Sequence, residues 1–360
     1  MRALNSWLAG LHVLDLSQYL PGPLAGLFLA DFGADVVKIE ALRGDEMRNL
    51  GPRDDAGRPI FYDAVNAGKT VRRMDLKDAQ TRDEFLTLVD TSDVLLESFR
   101  PGVMARLGLD FATLAKRNPR LVYCSLSGYG IGGPLEQAAG HDANYLAQAG
   151  VLYRNGDAAP MYFDPPIADV TGSLFAVIAI LGALRGRDQT GRGCVIDIAL
   201  VDVAVPLQIF PVADYGARGY SPGRNETYLN GGAAYYRIYA TRDGRHVTLG
   251  AIEPKFWTSF CATAQHPEWI ERQAEPLPQH ALTSDLAGFF VGLTLAECVE
   301  RFANADCCLA PVLTIAESLA SRHFTQRDLV RRAPNGDLQP LFPARVDGVA
   351  PQIRPAVRDG

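Results

Sequence analysis

The sequence predicts an α/β fold, with a large domain built on a parallel sheet and a second, smaller α+β domain. A strand, a helix and a strand follow one another within residues 11–40, and such βαβ units build parallel sheets. The alternation continues to about residue 200. Farther along, Asp243–Gly244 separates two alternating apolar segments, which predicts an antiparallel hairpin. The two halves therefore predict different architectures, and 360 residues are enough for two domains.

The elements of the large domain follow from apolar runs between turn residues. Predicted strands lie at 11–16, 35–40, 69–77, 93–99, 121–127 and 193–200, and predicted helices lie at 24–32 and 79–89. No G-x-G-x-x-G spacing joins the first strand to the first helix. The sequence therefore predicts no dinucleotide site at this turn.

The predicted large domain covers residues 1–200, and a stretch rich in turn residues at Tyr220–Asn225 predicts a linker at 201–224. The hairpin and the mostly helical segments after it predict a small domain at 225–320. The last segment, 321–360, ends in a proline-rich tail without a core of its own. We therefore expect it to return and pack on the large domain.

The composition describes a globular protein and gives no hint of a nucleic-acid or membrane partner. Hydrophobic residues make up 48%, charged residues 21%, and the net charge is −6. No basic cluster suggests a nucleic acid or a membrane as partner. Six cysteines without a C-x-x-C pair favour reduced thiols and a cytoplasmic location. We expect no signal peptide, no metal site and no membrane span, since the longest apolar run, Leu174–Leu184, is too short to cross a bilayer.

Four polar residues lie at the carboxyl ends of predicted strands, where ligands bind in open α/β sheets. They are Lys38, Lys77, Ser98 and Arg100. Several cations at one edge of a sheet suit an anionic ligand that carries phosphate. Isolated surface lysines would carry no such meaning, so the inference depends on the shared position.

A histidine and a carboxylate stand together at the start of a predicted helix. Gly140 breaks the preceding loop, and helical spacing begins at His141 and Asp142. An imidazolium is disfavoured at the positive end of a helix, so we expect His141 to be neutral and able to accept a proton. A second acidic helix start follows at Asp169, before a wholly apolar run. The simpler alternative is that both carboxylates are ordinary N-caps.

A series of motifs extends along nearly the whole chain. They are Val13–Leu16, Pro21–Pro23, Leu29–Glu40, Asp75–Lys77, Ser98–Gly102, Arg106–Gly108 and Thr190–Gly193. In this order they resemble the CaiB/BaiF family, also called the class III CoA-transferases. The resemblance implies a Rossmann-like large domain that binds CoA, with CoA as part of the acyl-CoA substrate and no other cofactor. The CoA-binding residues that we expect are Lys38, Lys77, Ser98, Arg100, Arg106 and Tyr145. It also implies an interlocked homodimer, whose active sites lie between the large domain of one chain and the small domain of the other.

The motifs resemble two branches of this family, which share Asp169. The α-methylacyl-CoA racemases have the pattern Gly140-His141-Asp142-x-Asn144-Tyr145 and pair the histidine with an aspartate that matches Asp169. Glu253 matches an active-site acid supplied by the partner chain. The transferases carry their acyl group on the aspartate, and Gln18 and Asp169–Gly172 resemble them. A third possibility is a family member that only binds CoA esters.

The expected reaction is epimerisation of 2-methyl-branched acyl-CoA thioesters, an isomerase reaction, with CoA transfer between carboxylic acids as the alternative. A thioester acidifies its α-carbon, and His141 and Asp169 would remove and return the proton on opposite faces of an enolate. Helix N-termini are expected to stabilise the enolate oxygen. Asp142 either orients the imidazole or caps a helix. Glu253 is either a catalytic acid or a glutamate of the kind common in first helical turns.

Overall fold

The computed structural model describes residues 4–360 of the chain. Its strands are β1 (His12–Asp15), β2 (Asp35–Glu40), β3 (Thr70–Arg73), β4 (Val94–Glu97), β5 (Val122–Ser127), β6 (Val195–Ala199), β7 (Tyr236–Ala240), β8 (His246–Gly250), β9 (Leu309–Pro311), β10 (Val330–Arg332), β11 (Leu338–Pro340) and β12 (Arg358–Asp359). Its α-helices are α1 (Pro21–Asp31), α2 (Ile60–Asn66), α3 (Ala79–Asp90), α4 (Val103–Arg106), α5 (Phe111–Arg117), α6 (Asp142–Gln148), α7 (Val151–Arg154), α8 (Ile167–Thr190), α9 (Leu200–Val203), α10 (Ile209–Arg218), α11 (Pro254–Ala264), α12 (His280–Val291), α13 (Leu295–Phe302), α14 (Ile315–Ala320) and α15 (Arg322–Arg327). The elements fall into two compact units, one of residues up to 149, 163–208 and 321–360, the other of residues 150–162 and 209–320.

The first unit is built on a seven-stranded sheet in which all neighbouring strands are parallel. The strand order is β12-β3-β2-β1-β4-β5-β6. On the central strand β1, Val13 lies opposite Val36 of β2 and Val94 of β4. From β1 the chain adds β2 and β3 on one side, and it then adds β4, β5 and β6 on the other side, so the strand order diverges between β1 and β4. A crevice for ligands is expected beyond the carboxyl ends of such a pair. The predicted α/β fold is confirmed.

Strands β4 and β5 are buried along their whole length, as is typical of parallel strands with both faces covered. Leu95 and Tyr123 of these strands belong to one core with Phe85 of α3 and Leu114 of α5. Complete burial of a large apolar side chain contributes about 1.5–3 kcal/mol. This packing holds the strand ends, and with them the polar residues that follow, in fixed positions.

Helix α8 is 24 residues long and packs against α1, β5 and β6. The packing is close at Gly172, where a Cβ atom would lie 2.3 Å from Cδ2 of Leu200. Near the other end of the helix, the buried Arg187 pairs with Asp93 at 2.8 Å. The start of α8, with Asp169 in its first turn, is therefore held against the sheet.

Two helical stretches are long and apolar enough to cross a membrane by length and composition alone, Ile167–Thr190 and Leu200–Arg218. The first of these helices is longer than the apolar run Leu174–Leu184, because it continues through Gly172 and Gly182 instead of ending there. In the most apolar window of each stretch, 39% and 17% of the residues are buried. Both stretches therefore leave apolar surface exposed.

The second unit contains a three-stranded antiparallel sheet in the order β7-β8-β9. The hairpin at Asp243–Gly244 is present, with Tyr236 opposite Gly250. Aromatic rings dominate the core, and Phe260 stacks on Trp257 and Phe302 with ring centroids 5.4 and 5.3 Å apart. Strand β9 lies in a region predicted to be mostly helical, because three residues are too few to show a periodicity.

The boundaries of the second unit differ from the predicted small domain at 225–320. Residues 150–162 and 209–224 also belong to this unit. Helix α10 occupies much of the predicted linker at 201–224. The turn residues after α10 end a helix and do not separate two domains, a distinction that local composition does not make.

The segment 321–360 belongs to the first unit. Strand β12 extends the sheet by pairing with β3, and the buried Arg354 binds the carboxylate of Asp31 through two hydrogen bonds of 2.7 Å. A cavity of about 350 Å³ lies between this segment and the end of α1. None of the predicted site residues lines it.

Candidate active site

The carboxylate of Asp142 joins the starts of α6 and α8. Its Oδ1 atom accepts hydrogen bonds from the backbone N–H groups of Ala168 at 2.7 Å and of Asp169 at 3.2 Å. Asp142 therefore caps α8, although it is the first residue of α6. The structure thus brings the two helix starts together, and His141 lies next in sequence to the residue that joins them.

The surroundings of Asp169 favour its protonated form. Burial and, after it, the nearby charge of Asp142 raise the pKa of Asp169 to about 7. Burial also raises the pKa of Asp142, but the N–H groups of Asp169 and Ala168 oppose this by stabilising the Asp142 carboxylate. Two neighbouring carboxyl groups in different surroundings take different protonation states. Near neutral pH, Asp169 is therefore the member of the pair that gains and loses a proton.

His141 is exposed at the start of α6. Its backbone N–H donates a hydrogen bond of 3.0 Å to Oδ1 of Asn144, which fixes the first turn. The ring of Tyr19 lies edge-to-face on the imidazole, with centroids 6.2 Å apart. Helix α6 has only seven residues.

Tyr145, one of the residues expected to bind CoA, is buried, and its binding of CoA stays a prediction. Its hydroxyl donates a hydrogen bond of 2.5 Å to the carbonyl of Gly140. A Cβ atom on Gly140 would lie 2.7 Å from Cε1 of Tyr145, so a side chain at 140 would clash with the ring. Burial and then the charge of Asp169 raise the pKa of Tyr145 to about 12. Tyr145 therefore supports the turn that carries His141.

Lys38 is not available to a ligand, which corrects the prediction from its place in β2. Its ammonium group is fully buried, 2.9 Å from Oδ2 of Asp45 and 2.7 Å from the carbonyl oxygen of Ser17. A second buried pair, Lys69 and Asp15, adjoins it, with 2.8 Å between the charged atoms. Burial opposes ionisation of Asp15, but the charges of Lys69 and Lys38 outweigh it and hold the pKa of Asp15 at about 2. The positive charge of Lys38 therefore balances buried carboxylates and does not reach the surface.

The remaining residues predicted to bind CoA are Lys77, Ser98, Arg100 and Arg106. The three cationic side chains are exposed, and Ser98 is half-buried. The Oγ atom of Ser98 accepts a hydrogen bond of 2.9 Å from the backbone N–H of Gln18. Nη1 of Arg100 lies 3.5 Å from the carbonyl oxygen of Gln137. The binding of CoA by these four residues stays a prediction.

Glu253 belongs to the second unit and is the N-cap residue of α11. Its exposed side chain makes no capping hydrogen bond to the helix. A glutamate that only capped the helix would accept a hydrogen bond from a first-turn N–H group. The carboxylate is therefore free of that structural task, and its catalytic role stays a prediction.

Two N–H donors at the start of α8 are already engaged, although helix N-termini were expected to stabilise the enolate oxygen. The N–H groups of Ala168 and Asp169 both donate to Asp142. Donors that already have a strong acceptor cannot also stabilise a substrate oxygen without losing it. This helix start therefore stabilises the Asp142 carboxylate.

The family model described as CoA-transferase family III matches residues 8–357. The chain belongs to CoA-transferase family III.

The names of relatives in this family refer to two kinds of reaction, racemisation and CoA transfer. The α-methylacyl-CoA racemase of Mus musculus is 35% identical over 330 residues, which cover 89% of this chain and 81% of the relative. The acetyl-CoA:oxalate CoA-transferase of Acetobacter aceti is 30% identical over 352 residues, which cover 94% and 89%. The crystal structure of a CAIB/BAIF family protein from Brucella suis is 28% identical, with a TM-score of 0.85, and the match covers 97% of this chain and 95% of that one. The chain is therefore an enzyme of the CoA-transferase and racemase type.

Two contributions to the site of this family III enzyme were not predicted from the sequence. One is Tyr19, which contacts His141. Tyr19 lies just beyond the carboxyl end of β1, and that position could have revealed it because the strand order diverges there. The other is the capping of α8 by Asp142, for which no local signal exists because the two segments are distant in sequence.

Asp142→Asn tests how the cap sets the acidity of Asp169. Asparagine keeps an acceptor oxygen for Ala168 and Asp169, but it removes the charge that raises the pKa of Asp169. We therefore expect the Asp169 carboxyl to titrate below its present value of about 7. Carboxyl ¹³C NMR, assigned with an Asp169→Asn spectrum, measures this shift.

Asp142→Ala is the matched control, because it removes the charge and the acceptor together. It should lower the free energy of unfolding by about 1 kcal/mol through the lost cap, whereas Asp142→Asn should lose little of it. An Asp169 titration that is the same in Asp142→Asn and in the wild type would show that burial alone sets its pKa.

Proposed function

We propose that this enzyme epimerises 2-methyl-branched acyl-CoA thioesters by removing and returning the α-proton. The observation that carries the proposal is the protonatable carboxyl of Asp169, with a pKa of about 7, at a helix start joined to that of His141. A proton carrier works best when its pKa lies near the working pH. The racemase relative, at 35% identity, supports the same reaction.

The chemistry needs one proton carrier on each face of the α-carbon. Neutral His141 takes the proton from one enantiomer, which leaves an enolate, and the protonated carboxyl of Asp169 delivers a proton to the opposite face. The roles reverse for the other enantiomer. Burial and, after it, the charge of the Asp142 carboxylate raise the pKa of Asp169 to about 7, so that part of Asp169 carries a proton at neutral pH.

CoA transfer between carboxylic acids is the second candidate function. Gln18 and the segment Asp169–Gly172 resemble the transferases, and a transferase relative is 30% identical. In this reaction the carboxylate of Asp169 attacks the thioester carbonyl, the CoA thiolate leaves, and a mixed anhydride forms on Asp169. A pKa of about 7 leaves only part of Asp169 ionised at neutral pH, which suits proton transfer better than nucleophilic attack.

The deciding experiment is isotope exchange in heavy water. A single enantiomer of a 2-methylacyl-CoA is incubated with the enzyme and no second carboxylic acid. We expect deuterium at the α-position together with loss of stereochemical purity. Absence of exchange across a panel of such esters would exclude epimerisation. An Asp169 adduct trapped by hydroxylamine or borohydride would favour transfer, and CoA binding with neither result would indicate a binding protein.

We further propose that the active form is an interlocked homodimer in which Glu253 of the partner subunit completes the site. Glu253 is exposed and does not cap its helix. Large apolar side chains are also exposed in each unit, with Ile178 at 63% in the first and Phe210 at 69% in the second. Burial of each against a second chain would contribute about 1.5–3 kcal/mol. Light scattering in detergent-free buffer should give twice the chain mass of 39.0 kDa, and a monomer would contradict the proposal.

A further inference from the structure

The loop between β1 and α1 contains a residue with an unusual backbone conformation. Tyr19 has a φ angle of +64°, in the left-handed region that only glycine adopts without cost. Residues other than glycine persist there when their surroundings hold them, and they are concentrated at functional sites. The loop lies beyond the carboxyl end of β1, beside the divergence point of the sheet.

Buried charges hold the loop from the side of β2. The Lys38 ammonium donates a hydrogen bond of 2.7 Å to the carbonyl oxygen of Ser17, and Ser17 is also bonded to Asp15 through its backbone N–H at 3.0 Å. The Tyr19 N–H reaches Oδ1 of Asp45 at 3.4 Å. Asp45 is itself the ion-pair partner of Lys38. The charge cluster that removes Lys38 from the surface therefore determines the path of this loop.

Two further contacts hold the loop from other elements. The N–H of Gln18 donates to Oγ of Ser98, just after β4, at 2.9 Å. The Oγ of Ser173 in α8 donates to the carbonyl oxygen of Pro21 at 2.7 Å. Because α8 also carries Asp169, this contact fixes the position of the loop relative to the helix that bears the candidate proton carrier.

The result of this anchoring is a fixed place for the Tyr19 side chain. The ring is 40% exposed, so burial in the core does not account for the strained backbone. Its contact is with the imidazole of His141, at a centroid distance of 6.2 Å and an interplanar angle of 83°. This edge-to-face geometry is a favourable arrangement of aromatic rings.

We propose that Tyr19 is a positioning residue for His141, and that the anchored loop at Ser17–Pro21 exists to hold its ring against the imidazole. An exposed histidine has several orientations available, and proton transfer from a substrate carbon needs one of them. The ring of Tyr19 restricts this choice. The catalytic consequence depends on the proposed epimerisation, whereas the contact between the two rings does not.

Three variants at this position separate the ring from the backbone. Tyr19→Phe keeps the ring, Tyr19→Leu keeps a large side chain without a ring, and Tyr19→Gly removes the side chain but suits the left-handed backbone. For the leucine and glycine variants we expect about a tenfold fall in kcat for exchange from the enantiomer that His141 deprotonates. KM, and exchange from the other enantiomer, should stay nearly unchanged. The phenylalanine variant should behave like the wild type, and the glycine variant should have a Tm no lower than that of the wild type.

NMR spectra of the histidine ring supply a readout that does not depend on turnover. The His141 Hε1 resonance, assigned with a His141→Gln spectrum, should be shifted by the aromatic ring in the wild type and in Tyr19→Phe, and should move in Tyr19→Leu. If the wild type exchanges no α-proton but this pattern is seen, epimerisation fails while the ring contact stands. An unchanged His141 resonance in Tyr19→Leu, equal losses for both enantiomers, or a rise in KM alone would each overturn the positioning role.

Discussion

Replacing Asp169 by asparagine is expected to lower the rate of α-proton exchange from the enantiomer that Asp169 deprotonates by about 10²–10⁴-fold, the usual contribution of a general acid or base, and to stop inversion of both enantiomers. Asparagine has nearly the same shape but can neither donate nor accept the transferred proton. CoA transfer should be lost as well, because the nucleophile is removed. The measurement is deuterium incorporation and CoA transfer, each assayed with the purified variant.

The same substitution should stabilise the fold at higher pH. The pKa of Asp169 is about 7 in the folded chain and 3.8 in its ordinary state, so the unfolded chain ionises first. Stability from this group is present below pH 4 and is lost as the pH rises toward 7. Asparagine does not ionise, so Asp169→Asn should gain on the order of 2 kcal/mol over the wild type at pH 8, and less at pH 5.

Asp188→Asn is the matched control for these measurements, because Asp188 is exposed near the other end of the same helix. It should change neither the exchange rate nor the difference in Tm between pH 5 and pH 8. An Asp169→Asn variant with full exchange activity would remove Asp169 from the mechanism. Equal gains in the free energy of unfolding at pH 5 and pH 8 would show that ionisation of Asp169 does not destabilise the fold.

Replacing His141 by alanine is expected to affect the two enantiomers unequally. Exchange from the enantiomer that His141 deprotonates should fall by about 10²–10⁴-fold. Asp169 can still remove a proton from the other enantiomer, and solvent deuterium then returns to the same face, so exchange should continue there without inversion. Chiral analysis of the recovered thioester, combined with mass spectrometry, distinguishes exchange with retention from epimerisation.

The proposed alternative reaction makes the opposite prediction for this variant. CoA transfer through Asp169 does not use the imidazole, so it should largely survive in His141→Ala. His12→Ala provides a control, because His12 is an exposed histidine of the same unit. It lies at the amino end of β1, whereas the candidate site lies beyond the carboxyl end of that strand. Unchanged exchange from both enantiomers in His141→Ala would remove His141 from the mechanism.

Much of the fold was predictable because its signals are local. Apolar runs bounded by turn residues predicted β1, β2, β4 and β5 to within about two residues. The strand β12 was not predictable, because two residues that pair with the edge of a sheet have no pattern of their own. Helix α10 was assigned to a linker and not to the second unit, since the turn residues that follow it have the same composition as a linker.

The sequence by itself determined the family, the α/β architecture of the first unit and the importance of His141 and Asp169, because these depend on residue type and order. Only the tertiary structure decided what the neighbouring charges do. Lys38 is buried in an ion pair with Asp45. Asp142 caps α8, and burial together with the charge of Asp142 raises the pKa of Asp169. The backbone conformation of Tyr19 was also decided by the tertiary structure, because contacts of its loop hold the Tyr19 ring against His141. Burial and charge pairing act through distances between segments that are remote in the chain, and no local pattern encodes those distances.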